Sequence, residues 1–212
     1  MSTIALTAYA LVGAINLASA IRFMEGLRKL TKIALMPVLL LFYFISVAEI
    51  LAVVIIAIVF SWLGDIFLIR KDEPKFFRLG LVAFLLSHVF YIVALVSITI
   101  GFHIPALIIS IVAALIIEVI LPKVIKPPKA MRIPVIIYGA VILAMCVFAL
   151  QYMISNITPG SILIFAGSIV FVFSDSLMSY LAFREKPKYF NAITMLPYIL
   201  AQGFIVFGLA GV

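Results

Sequence analysis

Long apolar runs separated by short polar stretches extend along the whole chain. A membrane-spanning helix needs about 20 predominantly apolar residues, within a range of roughly 17–25. With breaks placed at charges, prolines and glycines, the pattern predicts eight such helices over residues 3–21, 31–47, 49–69, 76–100, 104–121, 133–152, 161–183 and 189–209. The predicted fold class is all-α: a polytopic membrane helix bundle with eight transmembrane helices in a single domain, 1–212.

Composition supports this interpretation. The chain is 67% hydrophobic and 11% charged, whereas soluble domains are roughly half apolar and a quarter charged. We therefore expect an integral, multi-pass membrane protein. The N-terminal apolar run is not preceded by a positively charged segment, so we expect a retained helix rather than a cleaved signal peptide.

The basic residues indicate an orientation. All 15 Lys and Arg lie in or beside the first, third, fifth and seventh predicted connections, and the remaining connections and both termini hold none. Basic connections stay cytoplasmic, which predicts termini that face away from the cytosol, in a plasma or inner membrane. The positive charge is explained by topology and by anionic lipid headgroups. We expect the lipid bilayer as a partner, and no nucleic acid.

Polar residues in the predicted spans concentrate in the cytoplasmic halves of five helices. Their depths, at 1.5 Å per residue, are roughly 7–15 Å from the cytoplasmic ends, and the residues are Asp65, His88, Glu118, Tyr138 and Asp175. Gln202 lies deeper, in helix 8. Ionisable residues within spans face a bundle interior or a wet cavity and mark function by default. The pattern therefore predicts one polar cavity that opens toward the cytosol.

Each of these residues also has a structural explanation. Asp65 and Asp175 could cap helix ends or pair with buried donors. Glu118 is shallow enough to be half-solvated, which favours a structural or interfacial role. Tyr138 and Gln202 are typical of hydrogen bonds between helices.

The remaining candidates do not form a motif for metal or nucleotide chemistry. His88 is equally explained as a core histidine, and Lys32 is expected to snorkel to the interface. The sequence has no H-E-x-x-H, Cys/His cluster, P-loop or dinucleotide fingerprint. We therefore expect no metal and no cofactor. Carboxylates and a histidine in a low-dielectric pocket are suited to proton transfer.

Both intramembrane aspartates follow a small residue, in the pairs Gly64-Asp65 and Ser174-Asp175. Both aspartate helices are predicted to run from outside to inside. This arrangement is compatible with a parallel four-helix internal repeat that relates helices 1–4 to helices 5–8. Gly64 and Ser174 are equally explained by close helix packing.

Five motifs, in order, resemble those of the lysoplasmalogenase-like (YhhN) family of integral membrane proteins. They are "LTKIALMPVLL" on helix 2, "WLGDIFL" on helix 3, "FLLSHVFYI" on helix 4, "FSDSLMSYLAF" on helix 7 and "YILAQGFIV" on helix 8. Their order and spacing match the family along nearly the whole chain, apart from the loops and helix 5. The resemblance implies eight helices.

The resemblance also implies an activity: hydrolysis of the vinyl ether bond of lysoplasmalogens to a fatty aldehyde and a glycerophospho-alcohol. It implies that Asp65 and Asp175 are the essential acids. It further implies a substrate site lined by Lys32, His88, Tyr91, Ser174 and Gln202. The polar cavity inferred above adds Glu118 and Tyr138 to the candidate substrate-binding residues.

Two carboxyl groups can catalyse the hydrolysis of a vinyl ether. Protonation of the β-carbon gives an oxocarbenium ion, which water captures as a hemiacetal. One carboxyl acts as the acid and the other stabilises the cation or activates water, as in glycosidases. We predict that the deeper Asp175 is the acid and Asp65 the base, with the lysophospholipid headgroup near Lys32 or Arg78.

A proton-coupled transporter of a small molecule or lipid is the alternative, since paired intramembrane acids and a repeat also describe such carriers. The predicted clustering of polar residues on one side favours a cavity with one mouth over alternating access. A lipid-binding protein without turnover is a third interpretation.

Overall fold

The computed structural model describes residues 2–70, 73–184 and 186–211. Within them the chain forms eight helices: α1 (Ser2–Ile21), α2 (Glu25–Ser46), α3 (Ala52–Leu68), α4 (Pro74–Ile98), α5 (Ile104–Ile125), α6 (Lys129–Ser155), α7 (Pro159–Ala182) and α8 (Phe190–Leu209). The predicted all-α class and the eight helices in their predicted order are confirmed. Lys71, which the orientation argument places in the third connection, lies outside the described residues.

Most of the helices are suited to a bilayer. In the described part of the chain, seven helices are long and apolar enough to cross a membrane. The other helix, α3, is apolar and has 17 residues, at the lower edge of the roughly 17–25 that a span requires. The chain is a multi-pass membrane protein.

Several helix ends differ from the prediction. Helix α2 begins at Glu25 instead of residue 31, α5 ends at Ile125 instead of 121, and α6 spans Lys129–Ser155 instead of 133–152. The prediction ended helices at charged residues. Lys and Arg, however, are good helix formers, and their long side chains reach polar surroundings from within a helix. Several basic residues assigned to connections therefore lie inside helices.

The chain divides into two compact units at Ala94 and Leu95. In the first unit, α1 packs on α2 and α2 on α3. Helix α3 meets α4 through a 2.7 Å hydrogen bond between the hydroxyls of Ser61 and Ser87. The stacked rings of Phe60 and Phe90 extend this contact. This unit holds Lys32, Asp65, His88 and Tyr91.

In the second unit, α5 packs on α6, α6 on α7, and α7 on α8. The α7–α8 contact is close because positions 167 and 208 are glycines, where a Cβ would meet the facing helix. This unit holds Glu118, Tyr138, Asp175 and Gln202. The single domain and the internal repeat stay predictions.

Candidate functional site

An ion pair joins α2 to α3 in the first unit. The Nζ atom of Lys32 lies 2.8 Å from Oδ1 of Asp65, and the two side chains are 9% and 0% exposed. The expectation that Lys32 snorkels to the interface is therefore wrong. Because α2 starts at Glu25, Lys32 is the eighth residue of the helix, about 10 Å from its start, and its ammonium meets the carboxylate of the neighbouring helix.

His88 and Tyr91 are both fully buried on α4. Nδ1 of His88 is hydrogen-bonded to the carbonyl oxygen of Phe84 in its own helix. A carbonyl oxygen only accepts, so Nδ1 carries the proton in this contact. The imidazole is thereby oriented by its own helix.

The α3–α4 contact sets the relative depths of Asp65 and His88. In these antiparallel helices, Asp65 lies four residues to one side of the Ser61–Ser87 bond and His88 one residue to the other, so the two are about 7–8 Å apart in depth. A Cβ at Gly64 would lie 2.6 Å from Cδ2 of Phe84. The structure therefore gives Gly64 the packing role.

A second polar pair lies in the second unit. The hydroxyl of Tyr138 on α6 donates a hydrogen bond to Oδ2 of Asp175 on α7. The two residues are 4% and 8% exposed. The sequence placed both in the same half of their helices, and the structure joins them directly. Tyr138 thus makes an interhelical hydrogen bond, and its acceptor is one of the two candidate acids.

This pair borders a small cavity between α5, α6 and α7. Its volume is about 30 Å³, and its lining includes Tyr138, Asp175, Gly139 and Leu143. A cavity needs about 10–15 Å³ to hold one water molecule, and the water needs polar partners. The site therefore has room for a water molecule beside the carboxyl group of Asp175.

Glu118 lies next to this cavity rather than in it. The residue is half-buried on α5, and a Cβ at Gly139 would lie 2.9 Å from its Oε2 atom. Glycine at position 139 thus lets the carboxyl group pack on the backbone of α6. Glu118 thus contacts Gly139, which lines the cavity and directly follows Tyr138 in the chain.

Ser174 and Gln202 are buried in the same unit, 1% and 0% exposed. They lie on α7 and α8, which pack together. The structure therefore joins Lys32 to Asp65 in the first unit and Tyr138 to Asp175 in the second. The single polar cavity predicted from residue depth stays a prediction. In the described part of the chain, no three His, Cys, Asp or Glu side chains are grouped to hold a metal ion.

Several buried polar residues were not among those predicted from the sequence. The side-chain amide of Asn16 on α1 donates to the carbonyl oxygen of Arg28 and to the hydroxyl of Thr31, both at 2.9 Å. These bonds fix α1 to the segment of α2 that leads to Lys32. A lone amide in an otherwise apolar span is a typical interhelical donor, and this signal was present in the sequence.

The YhhN family model matches residues 27–209 of the chain. The match includes all the residues that the sequence proposed for the site, from Lys32 to Gln202. No curated protein and no solved structure matches the chain.

Proposed function

The chain belongs to the YhhN family, and we propose that it is a membrane-embedded hydrolase of the lysoplasmalogenase type. Its substrate would be a lysophospholipid with a vinyl ether bond, and its products a fatty aldehyde and a glycerophospho-alcohol. The observation that carries the proposal is that two buried aspartates have different partners. Asp65 is paired with the Lys32 ammonium, and Asp175 accepts a hydrogen bond from the Tyr138 hydroxyl.

The reaction needs one proton donor and one water molecule. Protonation of the β-carbon produces an oxocarbenium ion, water adds to it, and the hemiacetal collapses to aldehyde and alcohol. A positioned carboxylic acid can supply the proton, and a carboxylate can stabilise the cation or accept the proton of water. Net, one water molecule is consumed and both carboxyl groups return to their starting states.

The two partners support a division of roles. The ion pair with Lys32 suits Asp65 to the part of the carboxylate. Asp175 is hydrogen-bonded to a neutral hydroxyl, which favours the ionised form less than the ammonium beside Asp65 does, so Asp175 is the better suited of the two to the part of the acid. Tyr138 is then a positioning residue, since its hydroxyl fixes one oxygen of Asp175.

The structure changes which basic residue we assign to the phosphate of the lipid headgroup. The Lys32 ammonium is engaged by Asp65, whereas Arg78 is exposed near the start of α4. Arg78 is therefore the better candidate for the lipid phosphate. With the basic connections in the cytosol, the headgroup would face the cytosol and both termini would face away from it, in a plasma or inner membrane.

Aldehyde release by the purified protein in mild detergent tests this proposal. The substrate is a lysoplasmalogen, and its saturated alkyl-ether analogue is the control. We expect aldehyde from the vinyl ether alone, and at least about a 100-fold loss for Asp65→Asn and for Asp175→Asn, within the range for removing acid–base catalysis. The matched control is Glu73→Gln, which neutralises a half-exposed carboxylate and should leave the rate unchanged.

A folded wild-type protein that releases no aldehyde would reject the hydrolase. Proton-driven flux of a solute or lipid into liposomes would then favour the transporter. Binding of the lysolipid with neither turnover nor flux would favour a lipid-binding protein.

A further inference from the structure

Helices α5, α6 and α7 line a second, larger and open cavity in the second unit. Its volume is about 420 Å³, within the roughly 300–1,000 Å³ typical of ligand pockets. Its lining is almost entirely apolar, and we name it the α5–α7 groove: Ala106, Ile109, Ser110, Ala113, Ala114, Ile117, Leu143, Cys146, Val147, Leu150, Phe165 and Ile169. The Ser110 hydroxyl donates to the carbonyl oxygen of Leu107 in its own helix, so it offers the groove no free donor.

Contacts near both ends of α5 hold it against its neighbours, and the groove lies between them. At its start, the backbone N–H of His103 donates to Oε1 of Gln151 at 3.0 Å. Toward its end, Glu118 packs on Gly139, and the Arg184 guanidinium donates to the carbonyl oxygen of Val124. The space between these contacts is therefore a formed feature of the fold.

Small side chains on α5 line this space. Ala106, Ser110, Ala113 and Ala114 follow the spacing of one helix face. Small residues normally let two membrane helices pack in direct contact, but here these residues line a cavity instead. The most apolar stretch of α5 has no buried residue, so the groove lies beside a helix that faces the bilayer and is accessible to lipid.

The groove adjoins the cavity of the Tyr138–Asp175 pair. Leu143 lines both. Along α6 the lining runs from Tyr138 through Leu143 and Cys146 to Leu150, a distance of about 18 Å. The polar pair therefore lies at one end of an apolar groove.

We propose that the α5–α7 groove holds the hydrocarbon chain of a single-chain lipid, with the ether end of the chain at Tyr138 and Asp175. From Ala106 to Ile117 the groove follows about 17 Å of helix, slightly more than half of the ~30 Å hydrocarbon core. One lipid chain fills about half of that thickness, so the groove is long enough for a single chain. The proposal rests on the proposed function for its choice of lipid, and it assigns recognition of the lipid chain to α5, which holds none of the five motifs quoted from the sequence.

Photo-crosslinking tests the groove without turnover. The probe is an alkyl-ether lysolipid, which has no vinyl ether to cleave, with a diazirine at the far end of its chain. We expect adducts, mapped by mass spectrometry, at the end of the groove away from Tyr138, on residues 106–110 of α5 and 147–150 of α6, and competition by unlabelled lysoplasmalogen. Adducts spread evenly over the lipid-facing helices, or adducts that no competitor displaces, would overturn the proposal.

Two tryptophan variants of α5 provide a matched comparison. Ala114→Trp fills the groove, and we expect a loss of adducts of about tenfold and a shift of aldehyde release toward shorter chains. Leu115→Trp places the same ring on a residue that is 60% exposed and absent from the lining, so labelling should be unchanged. Equal behaviour of the two folded variants would contradict the proposal. If Ala114→Trp fails to fold by gel filtration, Ala113→Leu applies the same test with a smaller side chain.

The outcomes separate the groove from the hydrolase. Competed labelling of the groove without any aldehyde release would retain the groove and reject the hydrolase. Aldehyde release with labelling outside the groove, and with unchanged chain preference in Ala114→Trp, would retain the hydrolase and reject the groove.

Discussion

The Lys32 ammonium and the Asp65 carboxylate form an ion pair 2.8 Å apart, with side chains 9% and 0% exposed. Two opposite charges removed from water stabilise a fold only while they remain together, because each alone is an uncompensated buried charge. The pair also ties α2 to α3. The position of the Asp65 carboxylate therefore depends on Lys32.

Replacement of Lys32 by methionine should lower the free energy of unfolding by about 3–5 kcal/mol, the cost of breaking a buried pair. Denaturant unfolding in detergent measures the effect. The double variant Lys32→Met/Asp65→Asn should regain most of the stability, because it leaves no unpaired charge, and should stay inactive. Lys29→Met, on the exposed side of α2, is the control. Equal stability of Lys32→Met and Lys29→Met would show that the pair contributes nothing.

The Tyr138 hydroxyl can be removed without changing the shape of the ring. Asp175 becomes a carboxylate when it gives up its proton, and hydrogen bonds to charged groups contribute about 1.5–3 kcal/mol, so Tyr138→Phe should lower aldehyde release by roughly 10–100-fold. Tyr152→Phe is the matched control, because Tyr152 is a buried tyrosine on the same helix about 21 Å away. Its rate should stay within about twofold of wild type. An unchanged rate in Tyr138→Phe would remove Tyr138 from the site.

The helices were predictable because each membrane span must be one long apolar run, and eight such runs are visible in the sequence. Their ends were less predictable. Charged residues such as Arg28 and Lys32 continue a helix when a partner is within reach, and Arg28 has one in Glu25, three residues earlier. Apolar pattern alone carries no information about such partners.

The sequence predicts which residues belong to the candidate site, but it does not predict which of them contact each other. Depth along each helix follows from the sequence, and it placed Tyr138 and Asp175 in the same half of their spans. The choice of partner depends on which helices pack and on their rotation. For that reason the sequence assigned Lys32 to the interface instead of to Asp65. It also gave no sign of the α5–α7 groove, since the same alanines could equally have closed a helix contact.

Glycine at position 208 allows α8 to pack closely on α7. A Cβ there would lie 2.5 Å from the carbonyl oxygen of Gly160 and 2.5 Å from Cγ1 of Ile164, and a backbone atom cannot rotate away. Gly208→Ala should therefore cost about 1–3 kcal/mol of overpacking, measured by denaturant unfolding. Gly26→Ala is the control, because a Cβ at Gly26 meets nothing within 4 Å and alanine favours helix by about 0.5–1 kcal/mol. A neutral Gly208→Ala would mean that α7 and α8 separate without loss.

The distribution of basic residues predicts which connections face the cytosol. The connection between α5 and α6 and its flanking turns carry Lys123, Lys126, Lys129 and Arg132, whereas the α6–α7 connection carries no Lys or Arg. The only native cysteine, Cys146, can be replaced by serine before new cysteines are added. In intact cells, a membrane-impermeant maleimide should label Asn156→Cys at once and Lys129→Cys only after permeabilisation. The reverse pattern would invert the orientation and place the lipid headgroup on the outer side.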